Sequence, residues 1–311
     1  MLFKSGQSKR AVPLTSNTVT GRHVHDCLEL ATKQPKGLFM NPHATKSLNI
    51  FRTFKGNRSL IVSLVRREVV GRYKGSALGL LWSFFNPVLM LVVYTFVFSV
   101  VFKARWAGGS DSKTEFALVL FTGLVVFNLF SECVNRAPGL ILSNANYVKK
   151  VIFPLEILPI VAMGSAAFHF LASLAVWLIF HLIFFGLPPL SIAYLPIALL
   201  PLILFTLGLS WFLASLGVYL RDVSQIIGVL TTILLFMSPI FYPVAALPEA
   251  YQPIMQMNPL TGVIEQVRNV MIWGKGLDWV GWVVSMIASG LIAWLGFSWF
   301  QKTRKGFADV L

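Results

Sequence analysis

Apolar residues in this chain come in long blocks. They do not follow the alternation of an exposed strand or the narrow stripe of a surface helix. Six runs approach the roughly 20 residues that cross a hydrocarbon core of about 30 Å. They are Gly79 to Phe102, Phe116 to Ser131, Ile157 to Phe185, Leu190 to Leu220, Val223 to Leu247 and Trp279 to Phe300. The stretch from Ile157 to Leu220 contains no Asp, Glu, Lys or Arg and is interrupted at Gly186-Leu187-Pro188-Pro189, which predicts a helical hairpin. Phe116 to Ser131 is the shortest run, with 16 residues between Glu115 and Glu132. A helix of that length reaches about 24 Å, so it is expected to borrow a turn from its flanks.

Two further segments show helical amphipathicity. Between Leu60 and Lys74, Val62, Val65, Val69 and Tyr73 fall on one stripe and Arg66, Arg67 and Lys74 on another. Glu68 is spaced to pair with Arg72 at i, i+4. This pattern predicts a helix along the inner membrane surface just before the first span. Such a helix serves as an anchor or hands motion from a cytoplasmic partner to the spans. Further on, Asn258 is a good helix cap, with Pro259 at the first helical position and Gly274 placed to stop the helix. Leu260, Val263, Ile264, Val267, Val270 and Met271 form its apolar face, and Glu265, Gln266, Arg268 and Asn269 fall mostly on the other. It is too short to span, so it is expected to lie in the outer interface or to dip back into the membrane.

Polar and proline interruptions mark the spans themselves. Arg221-Asp222 stands alone between two long apolar runs as a charged turn. The first span carries Trp82, Phe84, Phe85, Asn86 and Pro87 near its start, then Tyr94, Phe96 and Phe98. The fifth repeats the device at Ser238-Pro239, among Phe236, Met237, Phe241 and Tyr242. Proline removes a backbone donor and is expected to kink each helix, and Asn86 is costly against lipid. Two broken, aromatic-rich spans with little charge suit a wall along which something bulky and amphiphilic slides, since a sugar ring stacks its C–H face on an aromatic side chain. With 26 Phe, 9 Trp and 7 Tyr in the chain, a lipid-facing role stays open for any single aromatic.

Composition fixes the class: of 311 residues 56% are hydrophobic and 12% charged, and mean hydropathy is +0.73, as in a polytopic membrane protein. With the N-terminus inside, the cytoplasmic segments hold 21 Lys and Arg and the external ones 5. This asymmetry puts both termini in the cytoplasm and accounts for the net charge of +14 through topology and lipid headgroups, with no need for nucleic acid. Residues 1–58 carry no apolar run that could act as a signal peptide and read as a flexible basic cytoplasmic tail. The tail's His23-Val24-His25-Asp26-Cys27 cluster lacks a second ligand pair, so no metal is expected. Cys27 and Cys133 both fall on the reducing side, so no disulfide is expected either.

Catalytic chemistry is not visible. The chain has no G-x-x-x-x-G-K-[ST] loop, so it is not expected to bind and hydrolyse ATP in the P-loop manner. Glu156 and Asp222 border the spans without an acidic neighbour to share a divalent metal. His169 and His181, both inside the third span, are better explained by a neighbouring helix that satisfies them than by a proton relay.

Several of these segments together, in this order, resemble the ABC type-2 permeases that export polysaccharides such as O-antigen, teichoic acid and capsule. The segments are the inner-surface helix with Tyr73-Lys74-Gly75-Ser76-Ala77-Leu78-Gly79, the Trp82 and Asn86-Pro87 start of the first span, Tyr147-Val148-Lys149-Lys150-Val151-Ile152-Phe153-Pro154, the Arg221-Asp222-Val223 turn, Ser238-Pro239-Ile240-Phe241-Tyr242-Pro243 and Asn258-Pro259. The resemblance implies an all-α integral membrane protein of the bacterial inner membrane. A tail over 1–58 precedes an interface helix over 59–75 and a six-span permease domain over 79–305. Short external re-entrant or interfacial helices lie between spans five and six, and 306–311 form a cytoplasmic tail. It also implies a homodimer with two copies of a separate ATPase, which holds ATP and Mg while this chain carries no cofactor. The cargo is a lipid-linked polysaccharide.

Carried over by position, Arg66, Arg67, Glu68, Tyr73, Asn135, Arg136, Lys149 and Lys150 touch the ATPase. Trp82, Phe85, Asn86, Tyr94, Phe236, Met237 and Tyr242 line the channel. Pro87, Arg221, Asp222, Pro239, Asn258, Pro259 and Arg268 act as gate or hinge. An exporter of drugs or small lipids shares this architecture and stays open as an alternative. A membrane-embedded glycosyl- or acyltransferase would need an acidic or histidine pair at a membrane boundary.

Overall fold

The computed structural model describes residues 56–101, 113–150 and 153–311, without the side chains of 99–101, 113, 149 and 150. The tail before residue 56, with its His23 to Cys27 cluster, lies outside the described residues, as do Lys103, Arg105, Val151, Ile152 and the side chains of Lys149 and Lys150.

Every regular element among the described residues is helical. The surface helix α1 (Arg58–Tyr73) is followed by Gly75 and Gly79, both at positive φ (89° and 52°), where the chain turns into the first span. That span, α2 (Trp82–Tyr94), carries Pro87 within it and continues as π-helical turns over Thr95–Val101. Helix α3 (Lys113–Arg136) has 24 residues and so extends about 36 Å, borrowing turns at both ends as expected. After the short α4 (Ala145–Lys150), helices α5 (Leu158–Phe185) and α6 (Leu195–Tyr219) form the predicted hairpin, reversed at Gly186 to Pro189. The Arg221-Asp222 turn, with both side chains exposed, leads into α7 (Val223–Phe236). Helices α8 (Gln252–Met257), α9 (Pro259–Met271), α10 (Trp279–Thr303) and α11 (Phe307–Val310) complete the described chain.

Among the described residues five helices are long and apolar enough to cross a membrane, where the sequence predicts six. The difference lies in Val223 to Leu247, whose α-helix ends at Phe236 and which regains only a 3-10 turn at Val244–Ala246. At 14 residues α7 is about 21 Å long. The kink expected at Pro239 is a stop instead. Pro239 has no N–H, and the residue before a proline is pushed out of the α region, so the helix ends ahead of Ser238.

Two apolar clusters hold the bundle. The larger surrounds α3, whose span is 83% buried against α5, α6 and α9. The smaller joins Ile61 and Leu64 of α1 to Leu155 just ahead of α5, to Leu158 and Val161 at its start, and to Trp211, Phe300 and Phe307. Where α6 crosses α10 the backbones touch: a Cβ on Gly208 would sit 2.7 Å from the Ala293 backbone, and one on Gly296 would meet the Gly208 carbonyl. By contrast α2 is 11% buried over its span, so most of its apolar side chains face outward.

Candidate functional site: a charged clamp, an aromatic cluster and a capped helix break

The C-terminal end of α1 is fastened to the spans by side chains of opposite charge. Arg72 pairs with Glu132 of α3, and Arg136 of α3 pairs with Glu68. Arg136 Nη1 also lies 3.6 Å from Glu132 Oε1. The Glu68–Arg72 pair expected within α1 is thus replaced by two pairs to α3, because α3 brings both a carboxylate and a guanidinium within reach. His169 Nδ1 of α5 lies 2.9 Å from Glu132 Oε2, and Tyr73 Oη lies 3.1 Å from His169 Nε2. Arg72 Nη1 also lies 3.2 Å from Nδ1, so the imidazole joins the carboxylate and the guanidinium on one side to the Tyr73 hydroxyl on the other. Burial raises that hydroxyl above the usual phenol value and keeps its proton in place.

Packing supports the clamp. Val65 lodges against Gly164 of α5, where a Cβ would come within 2.6 Å of Val65 Cγ2. Ile61, Leu64 and Val69 form the buried stripe of α1; Val62, which the spacing had put there, is 61% exposed. Arg67 Nη1 donates to Tyr147 Oη at 2.9 Å, and the Tyr147 ring stacks on Phe153 at 4.5 Å, so α1 is also tied to α4. The predicted coupling residues Glu68, Tyr73 and Arg136 therefore converge, while Arg67 binds α4 through Tyr147. Arg66 points away from the bundle, and Asn135 Oδ1 accepts from Thr231 of α7 at 3.0 Å. At the same end, buried Glu156 accepts from Arg304 Nη1 at 2.8 Å.

Of the predicted channel residues, Tyr94 and Phe236 meet through Phe241, their rings 6.1 and 5.7 Å from it, and Phe98 stacks on Phe241 at 4.8 Å. Trp82, Phe85 and Asn86 lie exposed toward the other end of α2, with Trp82 and Phe85 edge to face at 6.4 Å. Met237 is exposed. The Tyr242 hydroxyl is committed to backbone and donates to the Phe236 carbonyl at 2.6 Å.

The break after α7 is capped carbonyl by carbonyl. Tyr242 takes Phe236 O, Asn258 Nδ2 donates to Met237 O at 3.2 Å, and the Ile240 N–H takes Ser238 O at 2.7 Å. Arg268 Nη1 donates to Pro239 O, Nη2 to Ile240 O at 2.9 Å, and Nε to Val119 O of α3 at 3.1 Å. Asn258 also caps α9 as expected, its Oδ1 accepting from Leu260 N at 3.0 Å ahead of Pro259. Four predicted gate residues, Pro239, Asn258, Pro259 and Arg268, thus form one unit, while Pro87 and the Arg221-Asp222 turn stand apart from it. Arg268 corrects the helical-wheel reading: it is 3% exposed and lies on the buried face of α9. Its position four residues after Ile264 and three before Met271 carries that signal.

Glu132, His169 and Phe241 were not among the residues that sequence put forward as a site. In the sequence Glu132 bounds the shortest apolar run, and its i, i+4 spacing to Arg136 is the local signal of the pair. His169 is satisfied by neighbouring helices, as expected, whereas His181 Nδ1 lies 3.1 Å from the Gly186 carbonyl at the end of its own helix. Among the described residues, no three His, Cys, Asp or Glu side chains cluster as a metal site.

A bundle of long apolar helices with a tethered surface helix and a capped break is the build of a polytopic membrane protein. The family of ABC-2 type transporters matches residues 59–272, and the chain belongs to it. It is 28% identical to the O-antigen export system permease protein RfbA of Myxococcus xanthus over 84% of this chain and 99% of that protein. It is 26% identical to the RfbA of Klebsiella pneumoniae over 81% and 95%. Against the polysialic acid transport protein KpsM of Escherichia coli the identity is 25% over 71% and 84%.

Proposed function

We propose that the chain is the membrane-spanning permease of an ATP-driven exporter that carries a lipid-linked polysaccharide, of the O-antigen kind, outward across the bacterial inner membrane. In this reading two copies form the conduit, and two copies of a separate ATPase, holding ATP and Mg, dock beneath them. Both termini are cytoplasmic, and α7 with its capped break makes the fifth of six crossings, so that α10, the sixth, returns to the side where Arg304 reaches Glu156. ATP-driven closure of the ATPase pushes α1. The exposed faces of α2 and α7 line the path, and α8 and α9 close its far end.

The observation that carries the reading is the clamp from Arg72, Tyr73 and Glu68 to Glu132, His169 and Arg136, which makes α1 move with α3 and α5. Full-length relatives that are polysaccharide export permeases support the choice of cargo. The test is complementation of a strain that lacks its polysaccharide export permease. The chain, expressed with an ABC ATPase of a polysaccharide exporter, should restore polysaccharide to the cell surface on an immunoblot. A chain present in the membrane that leaves the polymer inside the cell would overturn the proposal.

A further inference from the structure

We infer that Arg268 is the latch that keeps the exit end of the permease shut at rest, by locking the helix break and α9 to α3 as one lid. The inference rests on the permease reading above.

Backbone carbonyls at membrane depth have no water to bond, and each one left open costs several kcal/mol. Leaving the helix at Phe236 therefore creates a debt at Met237 to Ile240 that side chains must meet. Asn258 at the start of α9 serves the first part of the break, and Arg268 near its end serves Pro239 and Ile240. Because both capping side chains sit on α9, the break and α9 form a single rigid piece.

The third arm of the guanidinium fixes that piece to the core. Arg268 Nε reaches Val119 O on the most enclosed helix of the bundle, and Gly123, one turn along, leaves the space the guanidinium fills. A Cβ at Gly123 would stand 2.7 Å from Arg268 Nη2. Arginine suits this post because its planar fork offers five donors in fixed directions and keeps its charge, so it serves two segments at once. A lysine offers a point charge on a flexible stem and cannot span the same carbonyls. Phe241 of the lid touches Tyr94 and Phe98 of the first span, and Phe236 at the end of α7. If the lid lifts, that aromatic contact parts and the conduit opens outward.

The experiment uses the full-length chain in vesicles of phosphatidylethanolamine and phosphatidylglycerol loaded with carboxyfluorescein, with no ATPase and no ATP. Dye release should be slow for the parent. For Arg268→Gln it should rise at least about tenfold, roughly what losing one charge-assisted hydrogen bond does to a closed-to-open equilibrium. Gly123→Ala, which displaces the guanidinium but leaves its charge, should also leak, and Arg268→Lys should fall between parent and Gln. Protein per vesicle and melting temperature are measured alongside. Tight vesicles at equal protein content for both Arg268→Gln and Gly123→Ala would overturn the latch, as would leakage that tracks loss of folded protein in every variant. Export by the parent in cells judges the permease reading separately, since the dye assay needs neither polymer nor ATP.

Discussion

Glu132 is held between Arg72 of α1, Arg136 of its own helix and His169 of α5, and Tyr73 closes the cluster from the far side of the imidazole. These groups are partly shielded from solvent, so their pairing counts for more than a surface ion pair but less than a fully buried one. Tyr73→Phe removes the hydroxyl and leaves His169 Nε2 without its partner, a loss of about 1 kcal/mol. It is expected to lower the melting temperature of the solubilised chain slightly, whereas Glu132→Gln, which strips the charge that both arginines face, should lower it more. In a double-mutant cycle the two should be non-additive by about 0.5–3 kcal/mol, as for residues sharing one network. Strict additivity would mean that the cluster does not act as a unit. The pairing was hard to read in the sequence because its members are 60 and 37 residues apart, and a local pattern offered the nearer Glu68–Arg72 alternative.

At the scale of elements, helix positions were largely legible because hydropathy over 20 residues and a turn such as Gly186 to Pro189 are local properties. The stop after Phe236 was not, since a proline inside an apolar run allows the helix either to continue, as at Pro87, or to end. What decides is whether other elements can cap the freed carbonyls, and here Asn258 and Arg268 do so from 21 and 28 residues away. The α6–α10 crossing gives an element-level prediction. Gly208→Leu or Gly296→Leu places a side chain where the opposing backbone already is, and either should depress the melting temperature sharply and reduce membrane levels. Gly290→Ala, on α10 but with open space around it, should be neutral or mildly stabilising. If all three variants melt alike, close backbone approach is not what holds this crossing.

Transport is a property of the whole molecule, and two predictions belong there. The first concerns the path: Tyr94→Ala removes a ring from the contact between α2 and the break, and should lower polymer export more than Phe212→Ala, whose ring packs with Trp299 on the α6–α10 side. Equal effects would put Tyr94 against lipid. The second concerns force. α1 offers Arg66 outward, where an ATPase could press on it, and uses Arg67 to hold Tyr147 and thereby α4. Reversing both charges, Arg66→Glu with Arg67→Glu, leaves the buried stripe Ile61, Leu64 and Val69 and the clamp at Arg72 and Tyr73 untouched, so the chain should still insert and fold. Export should fall nonetheless, because the push then arrives at a surface of the wrong charge and at an α4 no longer tied to α1. ATP hydrolysis measured in the same membranes separates two routes to that loss. Hydrolysis that continues while export stops means that the ATPase turns over without moving the spans, the result expected if α1 is the transmission. Export that continues at the parent's rate in the double variant, at equal membrane level, would remove α1 from that role.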